Sequence, residues 1–212
     1  QKPMKMQNQA LKKMLKREKA NKLVIRLVVG LGNPGSEYEK TRHNAGFLLL
    51  DQLADNGGAC FTSESKFKAE VTKLELDKVP VYLIKPQTFM NKSGLSVSAF
   101  ASYYDIAIDQ ILVVHDELDL EPGVVRIKKE GGHGGHNGLR DIIQQLGSKG
   151  FYRMRIGIGH PGDRNKVTQY VLKAPPKQES ELIHSAIDRA VREMPLLCQG
   201  DSQKAMRNLH SN

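Results

Sequence analysis

The chain has no Trp, and aromatic residues make up only 6% of its 212 residues. Its two cysteines, Cys60 and Cys198, are isolated thiols with neither metal nor redox spacing. That removes cysteine-built sites and leaves a reduced, cytoplasmic compartment as the expectation. Long apolar runs are also missing. The longest purely aliphatic stretches, such as Leu48–Leu50 and Ile111–Val114, are far too short to cross a bilayer. No apolar segment follows the basic first residues, so no secretory leader is expected. What is present, 39% hydrophobic and 26% charged residues, is ordinary soluble globular composition, and the length suits a single core.

The formal charge of +9 hints at nucleic acid, but its distribution matters more than its size. Residues 1–22 hold eight Lys or Arg against the single Glu18, a net of +7, which leaves only +2 for the remainder. This basic extension is read as a solvated or helical tail, with an RNA-touching arm as the sharper alternative. The folded body, residues 23–212, must make any case for RNA from local clusters.

Along that body strands and helices alternate. Strands are expected over Leu23–Gly30, Lys68–Leu76, Val79–Ile84, Ile111–His115, Val124–Lys129 and Met154–Ile158. Helices are expected over Asn44–Asn56, Asn91–Tyr104, Leu139–Leu146, Lys177–Met194 and Ser202–Leu209. The pattern predicts an α/β fold: a three-layer single domain whose twisted, mixed, mostly parallel sheet is flanked by helices. Function in such folds gathers at the carboxyl ends of the strands, where Gly32–Asn33, His115–Asp116 and Gly159–Gly162 would lie.

Four clusters carry candidate chemistry. Gly30, Gly32 and Gly35 satisfy the G-x-G-x-x-G pattern of a dinucleotide site, and Asp51 could pass for its acidic ribose ligand. A dinucleotide loop must run straight into a helix, however, and residues 36–42 offer no apolar face. A tight turn that leaves Asn33 pointing into a cleft is the better reading. In Thr41-Arg42-His43-Asn44, the imidazole and amide could be catalytic or could merely open a helix, with Asn44 as its cap. In Phe89-Met90-Asn91, Pro86 breaks the preceding strand, and Asn91 could cap the next helix or sit beside an apolar trough. The richest cluster runs from His115-Asp116-Glu117 through Arg126, Lys128 and Lys129 to the glycine loop with His133, His136 and Asn137. An Asp at a buried strand end can fix the tautomer of a His. A metal on His133 and His136, with Asp116 or His115, ranks below this because a glycine-saturated loop is a poor ligand frame. Arg126, Lys128 and Lys129 could solvate an edge strand or, with Arg153 and Arg155, clamp a phosphate.

Taken together and in order, Val28–Gly35, Thr41–Gly46, Thr88–Asn91, His115–Asp119, Gly134–Gly138 and Arg155–Pro161 resemble the bacterial peptidyl-tRNA hydrolase family over nearly all of the body. The resemblance implies a monomeric α/β esterase with no metal and no organic cofactor, cutting the ester between a peptide and the 3′ ribose of tRNA. It makes His43 the general base and Asp116 its supporting carboxylate. Asn33, Asn91 and Asn137 would be the amides for peptide and oxyanion. Tyr38, Phe89, Met90 and His136 would line the same cleft. Lys128, Arg155 and Arg126 would grip the tRNA 5′ phosphate. Two rival readings remain at this point: a non-catalytic RNA-binding relative, and a nicotinamide-dependent oxidoreductase built on the glycine pattern.

Overall fold

The structure, a computed structural model, describes residues 24–210. The expected basic extension, residues 1–22, lies outside the described residues, as does Leu23. Seven strands form one sheet: β1 (Leu27–Gly30), β2 (Thr62–Glu64), β3 (Ala69–Leu76), β4 (Val79–Pro86), β5 (Ile111–Glu117), β6 (Val125–Lys129) and β7 (Tyr152–Gly157), in the order β2-β3-β4-β1-β5-β7-β6. The helices are α1 (Ala45–Asn56), α2 (Ser93–Tyr103), α3 (Asn137–Leu146), α4 (Val167–Val171), α5 (Lys177–Cys198) and α6 (Ser202–His210).

Parallel pairing runs through the centre, β4-β1-β5-β7, and antiparallel pairing is confined to the margins. The sequence explains why. β1 and Ile111–Asp116 of β5 are buried throughout, as strands covered on both faces must be. β3 and β4 instead form a hairpin whose two turn residues, Asp77 and Lys78, both have positive φ (47° and 69°). That is the type I′ geometry whose twist matches the flanking strands. One face of the sheet packs Val28, Val114 and Ile156 against Leu50, Ile187 and Leu209 from α1, α5 and α6. The other packs Val29 and Val113 against Phe100 and Ile142 from α2 and α3. The predicted three-layer architecture is therefore observed.

One close approach sets the site. A Cβ on Gly46 would lie 2.4 Å from both the Leu31 nitrogen and the Val114 oxygen. Only glycine lets the start of α1 press onto the ends of β1 and β5. That contact carries the turn Arg42–Asn44 to the carboxyl edge of the sheet.

Several boundaries differ from expectation. β1 begins at Leu27, and Val24–Arg26 are not strand. Pro86 closes β4 rather than breaking it earlier. β5 continues past His115 to Glu117. Two of the expected helix starts, at Asn44 and Asn91, are instead 3₁₀ turns, Arg42–Asn44 and Met90–Lys92. β2 and α4 were not anticipated: one is a three-residue exposed edge strand, the other a five-residue helix, and neither is long enough to show a period.

Candidate active site

A cleft of about 310 Å³ opens at the carboxyl ends of β1 and β5, and His43, Asp116, Asn33, Asn91, His136 and Asn137 all line it. Asp116 is 3% exposed at the end of β5. His43 Nδ1 lies 2.9 Å from both of its carboxylate oxygens. A carboxylate only accepts, so Nδ1 carries the proton and donates, and Nε2 keeps its lone pair. Burial works against the charged form of His43, but the charge of Asp116 and its hydrogen bond prevail, and the pKa lies above 6.5. Burial likewise opposes the Asp116 carboxylate, yet the two histidines facing it hold its pKa well below the usual carboxylate range.

The second histidine is His136, which occupies the N-cap position of α3. Its Nδ1 accepts from the main-chain N–H groups of Gly138 and Leu139 at 3.2 and 3.3 Å. Nε2 must then hold the proton, and it donates to Asp116 Oδ1 at 2.9 Å. Asp116 therefore organises two imidazoles, whose centroids stand 5.0 Å apart.

Among the described residues, His43, Asp116 and His136 form the one group of His, Cys, Asp and Glu side chains whose ligand atoms converge closely enough for a metal ion, within 4.8 Å. This is not the set that sequence spacing singled out, since His133 is not in it. The residues do not fit a cation. Both imidazoles aim an N–H at the carboxylate, and a ligand must aim a lone pair.

Asn33 is set by an unanticipated partner. Asn44 is not a helix cap: its Oδ1 accepts from the Asn33 N–H and its Nδ2 donates to the Asn33 carbonyl, both at 2.9 Å. With the backbone clamped, Asn33 Oδ1 accepts from the Met90 N–H at 2.8 Å. The side-chain NH₂ is what remains for a ligand. Asn137 repeats the arrangement, its Oδ1 accepting from Arg140 at 3.0 Å. Asn91 is exposed at the cleft and makes no cap hydrogen bond. Phe89, 62% exposed, lines the cleft with Met90, and α4 supplies Val167, Thr168 and Val171 as the facing wall.

Not every expected residue arrives. Tyr38 sits half-buried in the turn after Gly35, its carbonyl accepting from the Thr41 hydroxyl at 2.8 Å, and it does not line the cleft. Gly159–Gly162 follow β7 but are likewise absent from the cleft wall. The dinucleotide reading fails as argued, because the stretch after Gly35 makes turns and no helix starts there.

Beside the cleft lies a basic pocket of about 270 Å³ lined by Lys128, Arg153 and Arg155, and it shares His115, Glu117 and His133 with the cleft. Arg155 is paired with Glu117 at 2.8 Å. Arg126 is not there. It reaches over the sheet edge to the carbonyls of Val125 and Leu209 at 3.0 and 3.3 Å, where a cation satisfies the end of α6. His115, in the sequence only an alternative metal ligand, is not in the converging group. Its Nδ1–H donates to the Asp116 main-chain carbonyl at 2.7 Å, and burial, with His136 beside it, pushes its pKa down to about 3.

The peptidyl-tRNA hydrolase family pattern matches residues 27–212. The peptidyl-tRNA hydrolase of Nitrosomonas europaea is 52% identical over 189 residues, covering 89% of this chain and 97% of that protein. That of Methylococcus capsulatus is 53% identical over 187 residues, covering 88% and 100%. A crystal structure of peptidyl-tRNA hydrolase from Acinetobacter baumannii shares the fold with a TM-score of 0.85 at 49% identity, covering 87% of this chain and 94% of that one. Agreement this extensive, in sequence and in fold, means that the chain belongs to the peptidyl-tRNA hydrolase family.

Proposed function

We propose that His43 acts as the general base in hydrolysis of peptidyl-tRNA, the activity this chain carries as a member of its family. The observation that carries the assignment is the pair of 2.9 Å contacts from His43 Nδ1 to a buried Asp116, which leaves Nε2 as the available base.

A water hydrogen-bonded to Nε2 gives up its proton as its oxygen attacks the acyl carbon. Asp116 stabilises the imidazolium that forms, and a positioned base of this kind contributes about 10²–10⁴-fold. The Asn91 amide donates to the developing oxyanion, a contact whose loss commonly costs about 3 kcal/mol. As the tetrahedral intermediate collapses, the imidazolium returns its proton to the 3′ oxygen of the ribose. Peptide and intact tRNA leave.

Selectivity follows from which atoms are already occupied. Asn33 and Asn137 have their carbonyl oxygens engaged, so they offer N–H donors to the carbonyls of a peptide. Phe89, Met90 and Val171 provide apolar walls. A free α-ammonium would meet mainly donors and hydrocarbon, with the Glu117 carboxylate of the cleft already paired to Arg155, and would be disfavoured. The tRNA 5′ phosphate belongs at the neighbouring basic pocket, with exposed Lys128 as its principal contact and Arg155 supporting. Affinity for full tRNA would then fall as salt rises. Tyr38 and Arg126 drop out of this reading. It describes a cytoplasmic monomer working without metal or cofactor, with residues 23–212 as the catalytic domain and 1–22 as an accessory basic segment.

The test compares N-acetylaminoacyl-tRNA with free aminoacyl-tRNA. Hydrolysis of the blocked ester with sparing of the free one is expected. Equal rates on both would overturn the reading.

A further inference from the structure

The loop from Gly131 to Gly135 carries no side chain able to hold it down except His133, and three of its glycines have positive φ. The hydrogen bonds of His133 stay within the loop region: its ring accepts from the Gly135 N–H, and its carbonyl accepts from the His136 N–H. Among the described residues, Arg153 is the only side chain outside the loop that hydrogen-bonds to it. Its guanidinium donates to the carbonyls of Gly131 and Gly132. The loop's far end is His136, which completes the Asp116 pair.

Arg153 is also electrostatically anomalous. It is 3% exposed, its Nε has no partner, and among the described residues no carboxylate lies within ion-pairing distance of it. Glu117, the nearby acid, is taken by Arg155. Burial, and then the charge of Arg155, disfavour its ionised form, and the charge of Glu117 offsets only part of this. A buried cation without a directly paired carboxylate is costly, and an anion entering the pocket it lines with Lys128 and Arg155 would relieve that cost, although Glu117 and Asp119 line it too.

We propose that Arg153 is a positioning residue for the reaction: it anchors the glycine loop that delivers His136 to Asp116, and it does so most firmly when an anionic phosphate occupies the basic pocket. The proposal rests on the reading that this pocket receives a tRNA phosphate. It adds that phosphate binding reaches the turnover step as well as affinity. An anion that binds the anchored arrangement better than the loosened one must shift the population toward it.

The test uses the intact protein and a substrate with no tRNA phosphate, N-acetylaminoacyl-adenosine, titrated with inorganic phosphate at ionic strength matched by chloride. Loop occupancy is followed in parallel by NMR of the Gly132–Asn137 amides. The proposal expects phosphate to shift these amides, slow their exchange, and raise kcat at least about fivefold, the lower end of typical couplings between sites, with KM unchanged. In Arg153→Lys, which keeps the charge but loses the forked grip, phosphate should no longer raise kcat. Amide shifts without any rise in kcat would overturn the role of Arg153 and leave the pocket reading standing. Absence of any shift, with no competition against tRNA, would overturn both. A variant with lowered Tm but an intact phosphate response would show Arg153 to be merely structural.

Discussion

Replacing Asp116 with Asn changes few atoms and should stop the chemistry. The carboxylate accepts two N–H donors at 2.9 Å, one from His43 and one from His136. An amide has one accepting oxygen. If that oxygen takes the Oδ1 position, 2.9 Å from both imidazoles, it still accepts from His136, which is bound to keep its Nε2 proton by capping α3. The NH₂ group then stands at the Oδ2 position, 2.9 Å from His43 Nδ1. That NH₂ repels an Nδ1–H and offers a donor to a bare Nδ1, so it favours the tautomer with Nε2 protonated, which is not a base. If the oxygen turns to His43 instead, two N–H groups collide at His136 and the cap is disturbed. Either way kcat should fall by about 10²–10⁴-fold, the full contribution of a positioned base, and the upper figure matches tautomer inversion in the Ser-His-Asp case. Substrate affinity should hardly change, because Asp116 is buried behind the ring. The pH dependence supplies an independent sign. His43 works unprotonated and its pKa is raised above 6.5, so wild-type activity should climb with pH through a midpoint above that value. With the Asp116 charge removed and burial remaining, the midpoint of the residual activity should move down. The assay is single-turnover release of labelled N-acetyl amino acid from tRNA over about pH 5 to 9, with Tm measured alongside. A fall in kcat of less than about tenfold, or an unmoved midpoint in a folded variant, would refute the reasoning.

Other substitutions separate the scaffold from the chemistry. Gly46→Ala puts a methyl 2.4 Å from main-chain atoms of Leu31 and Val114, and should cost at least about 1–3 kcal/mol, seen as a lower Tm; an unchanged Tm would show that the close approach is not needed. Asn44→Ala leaves the Asn33 N–H and carbonyl unpaired, at about 1–3 kcal/mol each, and kcat/KM should fall together with denaturant stability. A variant that kept kcat/KM would show that Asn33 is placed by other means. Lys128→Ala with Arg155→Ala should raise KM for full peptidyl-tRNA and flatten its salt dependence, while N-acetylaminoacyl-adenosine is unaffected; equal effects on both substrates would remove the phosphate contact.

The layers were legible in the sequence because they rest on strong local signals, and the cleft residues were legible through the family resemblance carried by several motifs in order. Continuous aliphatic runs such as Ile111–Val114 mark central strands, and Asp116 at the end of one invited pairing with a histidine. What was not legible depends on partners distant in the chain. Asn44 sits where a cap belongs, and only the fold shows its side chain turned back onto Asn33, eleven residues earlier. Arg126 alternates onto the same strand face as Lys128, yet the carbonyl end of α6, more than eighty residues later, draws it away from the pocket. Tyr38 lies between two motifs that contribute Asn33 and His43 to the cleft, but the turn after Gly35 directs it elsewhere. Arg153 looked like one more phosphate contact, and its grip on Gly131 and Gly132 appears only when β7 is laid beside the loop. Short elements such as α4 left no period to read, although α4 builds one wall of the cleft.

Catalysis turns on a single imidazole nitrogen, and His43→Ala addresses it directly. Turnover of N-acetylaminoacyl-tRNA by this variant should drop by at least about 10²-fold while its Kd for the same substrate and its Tm stay near wild type. Turnover that persisted at a comparable rate in the folded variant would contradict the assignment of His43 as the base.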